Sequence, residues 1–298
     1  GDSFTLASKP FNYRIMAGIG DNTSKVTKYD NPNRTLTDPY EGQQLGEIWG
    51  YVVDGYFKTD EEARNYKVDQ SFVNQMINAS ALDNGLHAGD LKFVDLDGNN
   101  KIEQTTSAND RKDMKVIGNS LPRYNYNFGI SADWYGIDFS VLFQGIGKQN
   151  WYPGAETSMF WGPYSRPYAS FIPSDFMSQV WSEENTNAYF PRPRGYVALG
   201  SNRELAVVNT KYLQNLAYCR LKNLSIGYTL PDKWLSKIGF EKIRVYFSGE
   251  NLLTFTKLHS DYIDPEQASA SNSWKTSKSD ANIYPWAKTY SFGVDITF

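Results

Sequence analysis

The sequence predicts an all-β chain whose strands, about seven of them, form part of a large antiparallel barrel that crosses a membrane. Three observations lead there. The last thirteen residues, Trp286 to Phe298, alternate large apolar with small or polar side chains and stop on a phenylalanine. The same alternation recurs upstream, and the connections between the alternating stretches are short and long by turns.

Side chains alternate at period two along a strand, so each such run has one greasy and one wet face. The first run is Phe11 to about Gly20, with Phe11, Tyr13, Ile15, Ala17 and Ile19 on one face. Gly46 to Phe57 is predicted as the second strand. Tyr124, Tyr126, Phe128, Ile130, Ala132 and Trp134 alternate with small or polar residues, and after Tyr135-Gly136 the chain resumes from Ile137 to Phe143. That pattern predicts a hairpin with a tight turn. Asn223 to Leu230 and Ile243 to Asn251 follow, joined by Pro231 to Lys242, a packed turn with Trp234, Leu235 and Ile238 on one side. In the closing strand Trp286, Tyr290, Phe292, Val294, Ile296 and Phe298 share the apolar face, with Lys288 its only charge.

Composition bounds the rest. A chain of 298 residues could make one large or two ordinary domains; the recurrent pattern reads as a single segment, 1-298, of one barrel domain. No run of about 18 apolar residues exists, which excludes a transmembrane helix, whereas a spanning β-strand needs only about 9 to 11 residues, half of them polar. The 21 Tyr, 17 Phe and 8 Trp suit interfacial girdles or sugar-stacking platforms. Cys219 is the single cysteine, so no internal disulfide forms and zinc or iron-sulfur spacings are absent. A net charge of -3 without a basic cluster argues against nucleic acid as a partner. The chain starts without a signal peptide although the pattern implies export, so Gly1-Asp2-Ser3-Phe4 is expected to be the inside of a longer polypeptide.

Sorted by length, Tyr135-Gly136 and Pro231 to Lys242 are short connections, and Phe57 to Arg123, Gly145 to about Tyr212 and Thr256 to Pro285 are long. Bacterial outer-membrane barrels have brief periplasmic turns and long extracellular loops. Threaded on that rule, residue 298 falls on the periplasmic side and Trp134, Tyr135, Tyr228 and Phe298 gather at its aromatic rim. Asp21 to Leu45 is the exception, a rather long periplasmic link. Seven strands cannot close a barrel of the even, eight-or-more kind. Open edges in lipid would leave backbone N-H and C=O groups unpaired at several kcal/mol each, so further strands must come from elsewhere.

Six stretches resemble one family: Glu41 to Phe57, Gly89-Asp-Leu-Lys-Phe-Val-Asp95-Leu-Asp-Gly-Asn99, Val116 to Tyr124, Phe139 to Gly145, Arg220-Leu-Lys-Asn-Leu-Ser-Ile-Gly-Tyr228-Thr-Leu-Pro231, and the closing strand. In order and spacing they are similar to the C-terminal part of the SusC-like (SusC/RagA) TonB-dependent transporters of the Bacteroidetes outer membrane. The resemblance implies a multi-pass barrel of about 22 strands with a plugged lumen, driven by TonB through an N-terminal part that this sequence lacks, as it lacks the plug and the remaining strands. It further implies import of glycans, or of peptides in some members, with a SusD-like surface lipoprotein as lid, in contact with outer-membrane lipids.

Two sets of candidate site residues stand out. Asp95, Asp97, Asn99, Lys101 and Glu103 form the front half of an EF-hand-like loop, with oxygen side chains at positions one, three and five and Ile102 at eight. Position twelve should be a bidentate carboxylate but is Thr106; Asp110 is the expected substitute after an insertion, and a polar Asx turn is the alternative to calcium. In the long segment from Gly145 to Tyr212, Trp151, Tyr152, Phe160, Trp161, Tyr164, Tyr168, Phe171, Trp181, Tyr189 and Phe190 lie among prolines. A disordered tether would not hold so many aromatics. They are expected to make the loop's own core, to contact the lid or to stack on ligand, and Trp151 and Trp161 are the candidates for ligand contact.

Enzymatic chemistry has little support. His87 and His259 sit in separate loops outside any nucleophile or metal motif, and Asp264-Pro265-Glu266 reads as a rigid polar turn at the extracellular mouth. Two other classes compete: a secreted carbohydrate-binding or glycosidase β-sandwich, and a barrel adhesin or receptor without transport. The sandwich would bury the greasy strand faces against a second sheet.

Overall fold

The computed structural model describes residues 1–73, 85–167, 171–193, 195–201, 203–235, 239–268, 278–279 and 284–298. The chain opens with β1 (Asp2–Leu6), which turns through Ala7 and Ser8 into β2 (Lys9–Gly20). Both turn residues have positive φ, 49° and 62°, the geometry whose twist matches that of paired strands. A long connection follows, carrying β3 (Glu47–Tyr51), β4 (Val53–Tyr56), α1 (Asp60–Arg64), β5 (Leu91–Phe93) and β6 (Met114–Asn119). β7 (Arg123–Trp134) and β8 (Ile137–Lys148) form the predicted hairpin, with Tyr135 and Gly136 again both at positive φ. The second long connection holds β9 (Asn150–Pro153), α2 (Ser158–Trp161) and β10 (Gln214–Asn215). β11 (Tyr218–Thr229), α3 (Asp232–Leu235) and β12 (Lys242–Thr256) come next, and β13 (Lys278–Ser279) precedes β14 (Thr289–Thr297).

Seven of these strands make one antiparallel sheet in the order β1-β2-β7-β8-β11-β12-β14, a meander in which neighbours follow one another along the chain. Its membership differs from the prediction in one place. Gly46 to Phe57 does not join the sheet: β3 pairs with β6 and β4 with β5. Ile48, Tyr51, Tyr56 and Phe57 are all buried, and a Cβ on Gly50 would stand 2.5 Å from the Ile117 side chain and 2.7 Å from the Val208 carbonyl. A segment packed on both sides belongs to an interior, so its apolar run never alternates as a half-buried strand does. β1 takes the vacant place. The Asp21 to Leu45 exception then disappears, because everything between β2 and β7 is one long connection. Short links at 7–8, 135–136 and 230–241 now alternate strictly with long ones at 21–122, 149–217 and 257–288.

β11 and β12 also run further than predicted, because register shifts between Leu221 and Asn223 where Asn251 and Leu252 are skipped. A bulge inverts the phase of alternation, so a period-two reading stops there although pairing continues to Thr256.

The sheet has two contrasting faces. On one, Phe128 stacks on Phe143 at 4.7 Å and Phe247 contacts Phe292 at 5.2 Å across strands, and nothing among the described residues covers them. Phe292 is 84% exposed. The other face carries an ion network: Arg244 on β12 reaches Asp138 on β8 at 2.6 Å and Asp295 on β14 at 3.2 Å. It crosses β11 at Gly227, where a Cβ would lie 2.5 Å from Arg244 Nη2, so a side chain there would push the bridge aside. Among the described residues no second sheet packs on the greasy face, which the sandwich alternative would require. Among the described residues no helix is long and apolar enough to cross a membrane.

Trp134 and Tyr135 sit at the β7–β8 turn, Tyr228 lies beside Gly136, and Phe298 contacts Phe240 at 5.2 Å, so the four predicted rim aromatics share the short-turn end. In the α3 connection, Leu235 is buried but Trp234 is exposed, so the two do not share a side as predicted; Ile238 lies outside the described residues.

The hydrophobic core lies in the long connections rather than under the sheet. All three contribute: Tyr51 and Phe93 from the first, Tyr152, Phe160 and Phe190 from the second, Leu258 and Ile263 from the third. Together they build a packed cap at the long-loop end of a polar-and-apolar wall.

Candidate functional site

Three features of the cap bear on function: the acidic loop after β5, the aromatic core, and a charged clamp between wall and cap.

The acidic loop is shaped by its own side chains. Asp95 accepts N-H groups of Gly98 and Asn100, both at 2.7 Å, Asp97 accepts from Asn99, and Asn99 accepts from Lys101 at 2.8 Å. Gly98 and Asn100 take positive φ in the process. Of the predicted set, the structure brings together Asp95 and Asp97, and the third carboxylate is Asp113, whose oxygen lies with theirs inside 4.8 Å. The expected Asp110 is not in this group. Asn99 and Glu103 turn to each other at 3.1 Å, and Glu103 also meets Lys112 at 3.5 Å and the Lys101 ammonium at 4.0 Å. Asp113 is fully buried and holds the loop shut, accepting from Leu96 N-H at 2.9 Å and Glu103 N-H at 2.7 Å. Burial raises its carboxyl above the ordinary value of 3.8, and the nearby Asp97 and Asp95 push the same way. Asp95 moves oppositely: desolvation would raise it, but the N-H groups of Asn100 and Gly98 outweigh that and lower it. Three carboxylates with no nitrogen or sulfur donor are the donor chemistry of a hard cation such as calcium.

The aromatic core holds both candidate ligand residues. Trp161 is 0% exposed and Trp151 4%. Trp161 packs edge-on against Phe160 at 4.8 Å and Tyr212 at 5.2 Å and donates its indole N-H to the Gly154 carbonyl at 2.9 Å. Trp151 sits on β9 opposite Gln214. As placed, neither ring offers a face to a ligand; both do the work of a loop core, and Tyr168 lies outside the described residues. Tyr152 and Tyr212 are likewise buried, and loss of hydration raises their phenols well above the usual range, which keeps them neutral donors. His259 stacks on Tyr189 at 3.4 Å and hydrogen-bonds Gln179 at 2.7 Å, with burial lowering its pKa. His87 lies 3.8 Å from Asp60.

The clamp was not foreseen. Arg220 projects from the polar face of β11, level with Gln144 and Thr254, and its guanidinium meets Asp264 at 2.6 Å and Glu266 at 2.6 Å. Lys222 adds a second contact to Glu266 at 2.8 Å. Asp264 also accepts the N-H groups of Glu266 at 2.9 Å and of Trp286 at 3.2 Å. Asp264-Pro265-Glu266 opens a hydrogen-bonded polar turn, and its two acids also anchor that turn to the wall.

No family model matches the chain. Among curated proteins it is similar to TonB-dependent receptor P3 of Formosa agariphila, 29% identical over 316 residues that take in 100% of this chain and 28% of the receptor. TonB-dependent receptor P39 of the same organism is 25% identical over 331 residues, covering all of this chain and 30% of that receptor. The chain thus spans less than a third of the relatives it matches. Among solved structures, the RagAB peptide importer in its open-open state superposes with a TM-score of 0.62 at 19% identity, over 99% of this chain and 27% of that one. Its closed-closed state gives 0.59 at 21% identity, over 99% and 28%. At such identities the structures speak for the fold alone. Along its whole length the chain is thus similar to one segment of TonB-dependent receptors, and its fold is that of the matching part of the RagAB importers.

Proposed function

We propose that this segment forms part of the wall and the extracellular cap of a TonB-dependent outer-membrane importer that takes up oligosaccharides beneath a SusD-like lipoprotein lid. The observation that supports it most is the uncovered apolar face of β7, β8, β11, β12 and β14, set against strictly alternating short and long connections. A surface of that extent suits acyl chains, and the loop asymmetry orients it with the cap outward. Peptide import is the second reading, favoured by the RagAB importers whose fold it shares. Deleting the gene and measuring growth on oligosaccharides and on peptides as the limiting nutrient separates them. Loss of growth on oligosaccharides alone is expected; loss on peptides alone would transfer the assignment, and full growth on both would remove import.

In the same reading the acidic loop holds calcium through Asp95, Asp97 and Asp113, with the Lys101 carbonyl at position seven. The ion would offset the burial, and the lesser repulsion from Asp97 and Asp95, that raise Asp113, and would tie the first long connection shut. Calcium at a hundredfold excess over its dissociation constant is expected to add about 2.7 kcal/mol to cap stability. The sign with pH follows from the raised Asp113. Without metal, ionising it in the fold costs stability as pH rises through and beyond 3.8. With calcium the ionised form is the one that binds, so the stabilisation fades as pH falls. Calorimetric titration of the purified transporter showing no heat with calcium, or an unchanged response in Asp113→Asn, rules the site out.

A further inference from the structure

A pocket of about 370 Å³ opens in the second long connection, away from the clamp and the acidic loop. Its size falls within the range of about 300 to 1,000 Å³ usual for small-molecule sites. Val197 and Leu199 give it apolar walls, and the half-exposed ring of Tyr196 stands at its margin. Two arginines line it, and they differ. Arg166 is neutralised by Glu156 at 3.1 Å. Arg203 has no hydrogen-bond or ion-pair partner for its guanidinium among the described residues, though it is partly buried.

The Arg203 side chain is held rather than loose. Its stem and Nε lie across Gly200, where a Cβ would come within 3.5 Å of Arg203 Cγ and 3.8 Å of Nε. The backbone beneath is a run of consecutive turns: Gly200 N-H to the Val197 carbonyl at 3.0 Å, Arg203 N-H to Gly200 at 3.1 Å and Leu205 N-H to Ala198 at 3.1 Å. Tyr152, inside the core, pins that run by donating to the Leu205 carbonyl at 2.8 Å. A partly desolvated guanidinium fixed at the edge of a pocket is a carboxylate receptor, because its planar donor pair matches the two oxygens. An exposed phenol ring beside it presents a flat apolar face of the kind that packs on the C-H face of a pyranose.

We infer that this pocket is a subsite for an acidic sugar, with Arg203 taking the carboxylate of a uronic acid residue and Tyr196 stacking on its ring. The inference rests on the import reading above and narrows its substrate to glycans that carry carboxylates. It is tested on the full transporter with its lid by calorimetric titration with a galacturonate trimer, a glucuronate-containing trimer, the neutral galactose trimer and an acidic tripeptide.

At least one uronate trimer is expected to bind about tenfold tighter than the neutral trimer, with the difference shrinking as salt is raised. Arg203→Gln should remove that preference and leave the thermal midpoint and calcium response unchanged, while Arg203→Lys restores part of it. Equal affinity for acidic and neutral trimers, tighter binding of the tripeptide, no binding of either uronate, or an Arg203→Gln protein that binds like the parent each overturns the subsite. Growth of the deletion strain tells the two readings apart: a lost phenotype on neutral oligosaccharides leaves import standing when the subsite fails.

Discussion

Asp264→Ala is expected to cost about 3 kcal/mol and to free the last long connection from the barrel wall. Breaking a buried ion pair by removing one partner costs about 3 to 5 kcal/mol, since the other charge stays behind without its hydration. Arg220 and Asp264 are both nearly inaccessible, at 3% and 5% side-chain exposure. The lower end applies because Glu266 and the Thr254 hydroxyl, at 2.6 and 2.9 Å, still hold the guanidinium. Asp264 is also the point where the segment leaving β12 and the segment entering β14 meet, through the N-H groups of Glu266 and Trp286. Amide exchange should therefore rise at 257–268 and at 284–288 together, while β7 and β8 keep their protection. Asp264→Asn keeps the acceptor and loses the charge, so about 1 to 2 kcal/mol is expected there. Replacing Arg220 and Asp264 together by Met and Leu should recover most of the loss, because no lone charge remains. An Asp264→Ala protein with parental exchange in both segments would show that the clamp holds nothing.

That clamp marks where reading the sequence ends. Arg220 and Asp264 lie 44 residues apart, and neither stands in a local pattern that points to the other. The wall was legible because period-two alternation is a local property, and β2, β7, β8, β12 and β14 each carry it. β1 has five residues, too few for the pattern to rise above chance, and β3 with β4 carries apolar groups on both faces, which imitates a strand of the wall while belonging to the cap. The bulge at Leu221 and Asn223 hid the true ends of β11 and β12 by inverting the phase. In the acidic loop the spacing from Asp95 to Asn99 was readable, but the third carboxylate of the group is Asp113, which only the fold brings beside Asp95 and Asp97. Its signal was present in retrospect as the last acid before the apolar β6.

Trp161→Ala is expected to cost the cap about 3 to 5 kcal/mol, the range for removing a large buried aromatic. The ring touches Phe160, Phe190, Tyr152 and Tyr212, residues from both ends of the second long connection, so the cavity opens where that connection closes on itself. The Gly154 carbonyl loses its indole donor as well. Since the cap core also draws on the first and third connections, loosening should spread to Tyr51 and Ile263 while the sheet persists. Limited proteolysis should then cut the loops of a barrel that still migrates as folded in cold detergent gels. Trp161→Phe keeps most of the volume and should cost less than the alanine variant. Ligand affinity is expected to fall in step with cap stability across the two variants, since a core residue acts on binding only through the shape it maintains. A Trp161→Ala protein with full protease resistance and selectively lost binding would mean the opposite: that the indole leaves the core to meet the ligand, and that the cap opens more readily than its packing implies.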